Sequence, residues 1–291
     1  MNPMDKEGPV RFECLPGRCQ VMGILNVTPD SFSDGGQFDR PEPAIEQGLQ
    51  MIEAGADVID VGGESTRPGA RPISAAEEID RVIPVIECLA RRANRPISID
   101  TSKPEVMRAA VAAGASLIND VRALRAPGAL EVAAELQVAV CLMHMQGDPE
   151  TMQDDPRYGP DIVLNVTDFL AGRIAACEQA GLNRELLIID PGFGFGKHLA
   201  HNLALLAELD RLRVLDCPIL VGVSRKSMLG QILGGRPASG RQAASVAAAL
   251  WAASYGAAIV RVHDVAPTVD ALRVWGAIGA VRLRAAGNEA R

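Results

Sequence analysis

Leu186-Leu187-Ile188-Ile189-Asp190-Pro191-Gly192-Phe193-Gly194-Phe195-Gly196-Lys197 runs from four apolar residues directly into a carboxylate and a glycine-rich turn. The apolar part is short and unbroken, as a strand buried on both faces reads. A carboxylate therefore stands where a buried strand ends. Glycine-rich turns after strands often cradle phosphates, but the spacing here excludes both familiar forms. A P-loop needs glycine and then Ser or Thr at the positions held by Pro191 and His198. The dinucleotide fingerprint needs a third glycine where Lys197 stands. The turn is built for something other than a nucleotide phosphate.

Similar apolar runs recur on both sides of it. Strands are expected at 20–25, 57–61, 96–99, 116–118, 138–143, 186–189, 219–223 and 258–262. Helical patterns fill the gaps, near 44–52, 75–92, 129–136, 161–180, 200–209, 240–254 and 266–284. Ser74-Ala75-Ala76-Glu77 and Ser102-Lys103-Pro104-Glu105 read as capping boxes that open two of the helices. Strand and helix alternating about eight times, in a chain of this length, predicts an α/β protein with a (β/α)8 TIM barrel. A doubly wound open sheet is the alternative architecture. The expected organisation is one domain: residues 1–18 an N-terminal extension, 19–285 the barrel, and 286–291 a C-terminal tail.

Composition narrows the function. The net charge of -7 over 291 residues argues against a nucleic-acid footprint or a membrane-surface role. Only 3% of residues are aromatic, so the two Phe of the glycine turn stand out as ligand-facing candidates. The six cysteines include no C-x-x-C pair and mostly sit in apolar runs, which points to a reducing, cytoplasmic setting. No apolar run approaches a membrane span.

Each strand of a barrel delivers its C-terminal end to one face. The residues at or just past those ends are Asn26, Asp60 (with Glu64 beyond), Asp100, Asn119-Asp120, His144, Asp190, Ser224-Arg225-Lys226 and Arg261-Val262-His263. Loops are polar in general, so any single one of these carries little weight. All eight together carry much more. Asp100, Asn119 and Asp190 can read the edge of a heterocycle, since a carboxylate accepts paired bonds from a ring N–H and an exocyclic amino group. Arg261, His263 and Lys226 suit phosphate or carboxylate. Asn26 offers a neutral oxygen, acceptable to a hard cation held mostly by substrate. The long polar loops 26–36 and 62–69 would overhang the same face. His198 and His201 have helical spacing but no evident third ligand, and read as a solvated helix start. His144 is equally a ligand or a satisfied structural histidine, and Lys197 reads as a solvated loop charge.

Taken as a set, these segments resemble the dihydropteroate synthase family. The matching stretches are Met22 to Gly36, Gly62 to Gly69, Ile99 to Lys103, Ile118 to Val121, Leu142 to Gly147, Asp190 to Lys197, Ser224 to Ser227 and Arg261 to Val265. They fall in family order over about residues 20–280, with no departure at a position the family uses. The resemblance implies condensation of 7,8-dihydropterin-6-ylmethyl diphosphate with 4-aminobenzoate, Mg2+ as cofactor, a homodimer and sensitivity to sulfonamides. It also implies roles. Asp100, Asn119, Asp190 and Lys226 would hold the pterin, Asn26 the Mg2+, and Arg261 and His263 the diphosphate. Thr66, Arg67, Phe195 and Ser227 would shape the aminobenzoate site, and Asp100, Lys226, Arg261 and His263 would act in catalysis. The alternative is a methyltetrahydrofolate-binding corrinoid methyltransferase, which also uses a pterin-reading barrel but needs no diphosphate clamp.

Overall fold

A computed structural model of the protein describes residues 10, 12, 17–28, 41–65, 71–147, 152 and 156–289, with side chains described as far as 281. The eight apolar runs are strands: β1 (Gln20–Asn26), β2 (Val58–Gly62), β3 (Ile97–Asp100), β4 (Leu117–Asp120), β5 (Ala139–Met143), β6 (Leu187–Asp190), β7 (Ile219–Val221) and β8 (Ala257–Val262). Every strand end lies within two residues of its expected position. All pair in parallel in chain order, and β8 pairs back onto β1, so the sheet is a closed barrel and not an open one. The helices between them are α1 (Glu42–Glu53), α2 (Ala75–Arg92), α3 (Pro104–Ala112), α4 (Ala129–Leu136), α5 (Ile162–Gln179), α6 (Leu199–Ala207), α7 (Ser227–Ile232) and α8 (Gln242–Ser254). A last helix, α9 (Val265–Glu289), follows β8 and runs further than the periodicity predicted.

The two capping boxes resolve differently. Ser74 caps α2, its Oγ accepting the Glu77 N–H at 3.2 Å. Ser102 does not cap α3: Lys103 occupies the cap position without a side-chain bond. The Ser102 hydroxyl is donated instead to Asp120. Proline at the first turn of α3 starts that helix unaided, because its fixed φ suits the position and its missing N–H is not needed there.

Strand alternation sorts the side chains into two cores. Outward residues such as Leu25, Ile59, Val61, Ile99, Ile118, Val140, Ile189 and Val260 pack under the helices. Inward residues Met22, Val58, Leu117, Ala139, Cys141, Ile188, Leu220 and Ile259 fill the barrel, joined by Phe12 and Val10 from the N-terminal segment. Two residues beyond Val58, Leu117, Ile188 and Ile259 the next inward positions are polar: Asp60, Asn119, Asp190 and Arg261.

Candidate active site

Register assembles the site. Asn26, Gly62, Asp100 and Asn119 are successive partners across β1 to β4. In-register neighbours in a parallel sheet point the same way, so these side chains share the inward face near the barrel mouth. One layer deeper, Ile24, Asp60, Ser98 and Leu117 form the row beneath them. Asp190 ends β6 opposite Met143, and Arg261 lies opposite Met22.

Arg261 crosses this space. Its Nε donates to Asp60 Oδ2 at 2.5 Å and its Nη2 to Asp100 Oδ2 at 2.7 Å. The same Asp60 oxygen accepts the Asn119 side-chain amide at 3.0 Å. Asp60 was expected to close β2 at the mouth, but it is the third of five strand residues and fully buried. It holds other site residues from below. The signal was available in the sequence, since two further apolar or glycine positions follow it inside the strand.

Charge in the site is unevenly balanced. Burial pushes the Asp100 carboxyl up to about 7; Arg261 opposes this, while Asp60, Glu78 and Asp120 reinforce it. Asp190 is likewise raised by burial, against the Gly192 N–H that it accepts at 2.7 Å and the charge of Lys226. Burial, with help from Arg261, pulls the Lys226 ammonium down to about 8. Burial also works against the charge on Arg261, but Asp60 and Asp100 outweigh it and keep the guanidinium protonated.

The loops finish the arrangement. Lys226 lies over the Phe195 ring, 4.0 Å from its centroid. A Cβ on Gly194 would stand 3.3 Å from the Lys226 side chain, so glycine lets the loop run beside it. The Ser224 hydroxyl oxygen accepts the His263 backbone N–H at 3.2 Å and meets His263 Nδ1 at 3.0 Å. Arg225 forks onto Asp264 at 2.6 and 3.0 Å and so ties the loop after β7 to the loop after β8. Its φ of 57° is unusual for a non-glycine residue and belongs to the turn that delivers Lys226. Ser227 is the first residue of α7. Asp120 serves its own turn: its oxygens accept the N–H groups of Arg122 and Leu124, each at 2.8 Å.

Thr66 and Arg67 lie outside the described residues, as does the loop from Pro29 to Arg40. The flanks of the 66–70 segment are anchored, however. Glu64 accepts the Ile73 N–H at 3.1 Å and Lys103 Nζ at 2.7 Å, and Lys103 also reaches the buried Glu78 at 2.5 Å. Among the described residues no group of three His, Cys, Asp or Glu side chains could hold a metal ion. Asn26, half-buried at the end of β1, is the neutral oxygen at the mouth.

Lys197 differs from its expected reading, as does Phe193, which is not ligand-facing but buried in the core under the helices. Lys197 is not solvated: it is 3% exposed, and its Nζ bonds His144 Nδ1 and the Gly192 carbonyl, both at 2.9 Å. The Phe195 carbonyl accepts it at 3.1 Å. His144 is the structural histidine of the two readings, packed edge-on against Phe169, and burial followed by the Lys197 charge lowers it to about 2. His198 and His201 cap the start of α6.

Comparison with known proteins agrees with this geometry. The model of the family "Pterin binding enzyme" matches residues 22–263. The dihydropteroate synthase of Escherichia coli (strain K12) is 56% identical over 254 residues, covering 87% of this chain and 89% of that one. A Yersinia pestis dihydropteroate synthase solved with a sulfonamide drug superposes with a TM-score of 0.87 at 50% identity, covering 94% and 100% of the two chains. The Xanthomonas albilineans dihydropteroate synthase in complex with 7,8-dihydropteroate gives 0.84 at 51% identity, covering 93% and 99%.

Proposed function

The chain belongs to the pterin binding enzyme family and has the activity of a dihydropteroate synthase, and we propose that the polar ring at its barrel mouth binds the pterin and discharges its diphosphate. The observation that carries this is the Arg261 fork, which gathers Asp60, Asp100 and, through Asp60, Asn119 into one inward cluster beside Asp190 and Lys226. Asp190, Asp100 and Asn119 are the acceptors and donor that a pterin edge requires, and Lys226 supplies a donor above it. Charge-assisted bonds of this kind contribute roughly 1.5–3 kcal/mol each. The corrinoid methyltransferase alternative finds no support in relatives of this identity.

The reaction joins the aminobenzoate nitrogen to the pterin methylene as the bond from that carbon to diphosphate breaks. An arylamine is uncharged at neutral pH and keeps its lone pair, so no dedicated base is required. Departure of diphosphate is the difficult step. Arg261 and His263 lower its barrier by donating to oxygens whose negative charge grows. Asp100, beneath the ring, stabilises the positive charge left on the conjugated methylene, which favours a dissociative, SN1-like displacement. Phe195, Ser227, Thr66 and Arg67 would receive the aminobenzoate, Phe195 through its ring and Ser227 at the start of α7.

The residues fit Mg2+: Asn26 gives one neutral oxygen, and among the described residues no group of three His, Cys, Asp or Glu side chains competes for the ion, so most ligands would be substrate oxygens. When bound, the ion would neutralise charge on the leaving diphosphate. The homodimer is supported by Val274, Ile278 and Val281, spaced along one face of α9 and 61%, 61% and 66% exposed. No helix among the described residues is long and apolar enough to cross a membrane. The free thiols of Cys88, Cys141 and Cys177 support a cytoplasmic setting.

The direct test supplies both substrates and Mg2+ and measures dihydropteroate; no product would refute the reading. Diphosphate release without aminobenzoate tests the dissociative step, and strictly coupled release would count against it.

A further inference from the structure

Resting on the reading above, we propose that Lys197 is a positioning residue for the second substrate: its ammonium fills a cation niche in the glycine loop and thereby fixes Phe195 where aminobenzoate must pack. The loop was a failed phosphate cradle by spacing, and its geometry explains what it does instead. Gly192, Gly194 and Gly196 all have positive φ, at 68°, 77° and 62°. The Gly192 and Phe195 carbonyls converge on Lys197 Nζ, with His144 Nδ1 completing the set at 2.9 Å. A turn whose carbonyls converge holds a cation, whereas a phosphate loop directs its N–H groups to an anion. Here the chain supplies its own cation, an ammonium that burial lowers to about 7 against the opposing charge of Asp190.

The remaining loop groups are tied independently, which isolates the part that depends on Lys197. Asn202 accepts the Gly194 N–H at 2.7 Å and donates to the Lys197 carbonyl at 3.1 Å. The Tyr158 hydroxyl donates to the Gly196 carbonyl at 2.7 Å. Phe195 itself is held by its carbonyl on Lys197 and by its N–H on the Gly192 carbonyl at 3.1 Å, which Lys197 also binds. Both bonds that set the Phe195 backbone therefore involve an atom bonded to the ammonium. Asp190 accepts the Gly192 N–H, and the Lys197 charge reaches it only through space, with no hydrogen bond between the two. Loss of the ammonium thus bears on the aminobenzoate platform more than on the pterin anchor.

The experiment compares the wild-type enzyme with Lys197→Met, which keeps the chain length and removes the charge. Initial rates with both substrates give kcat and each KM. A rise of at least tenfold in KM for aminobenzoate is expected, with kcat and KM for the pterin diphosphate within threefold. Phe195→Ala should produce a comparable rise, and the double variant should add little to it. An unchanged aminobenzoate KM, a uniform loss across all three constants, or additive effects would each overturn the proposal. If Lys197→Met does not fold, His144→Leu removes one acceptor of the niche and should raise the same KM about threefold; no change there would overturn it equally. A wild-type enzyme that makes no dihydropteroate would instead refute the reaction itself, and this assignment with it.

Discussion

Asp190 combines three properties that few carboxylates share: it ends a strand, is nearly fully buried and accepts a backbone N–H from its own loop. Asp190→Ala removes the acceptors for a pterin edge without opening a large void. Pterin affinity should fall on the order of 100-fold, about 3 kcal/mol, while the circular dichroism spectrum stays that of the wild type. Undiminished affinity in calorimetry would refute the assignment. The shifted groups also give a pH profile. Asp100, held up to about 7 by burial, must be ionised to accept, so kcat/KM should rise with pH through that value. Lys226, lowered to about 8, must be protonated to donate, so activity should fall above it. A flat profile between about pH 6 and 9 would contradict both roles. The placement of most of these residues at the barrel mouth was legible because a polar side chain at the end of a buried strand has few other places to go. The burial of Lys197 was not, because what a loop charge does depends on partners remote in sequence, such as His144.

Elements were more legible than contacts. Strand ends came within two residues because a buried parallel strand is marked at both ends by a change in polarity. The start of α3 was found through proline, whereas its expected Ser102 cap was wrong: Asp120, distant in sequence, takes that hydroxyl. The glycine loop shows how closely elements are fitted. A Cβ on Gly192, at φ 68°, would lie 1.9 Å from the His144 carbonyl oxygen. Gly192→Ala should therefore cost about 3 kcal/mol or more, read as a lowered urea midpoint. Gly172, inside α5, has open space around its Cβ position and no positive φ. Gly172→Ala should raise stability by roughly 0.8–1 kcal/mol. A loss at Gly172 or neutrality at Gly192 would contradict the packing described.

On the molecular scale, the apolar face of α9 is the feature that a lone barrel leaves unexplained. Ile278→Arg, in the middle of that face, should convert a dimer into a monomer of 30.8 kDa in sedimentation, with little effect on secondary structure. A wild-type chain that sediments as a monomer at micromolar concentration would remove the homodimer from the proposal. Barrel closure was legible only as a count of alternations, since nothing local in β1 or β8 announces that they pair. That closure governs when the protein becomes an enzyme. Asp60 and Asp100 leave the ribosome 201 and 161 residues before the arginine that neutralises them. Until β8 arrives, a nascent barrel carries mutually repelling carboxylates at its centre and an open sheet edge on either side. The last strand delivers the cation and seals the edge in one event, so a ribosome stalled before Arg261 holds a chain with neither a finished fold nor a site to bind pterin.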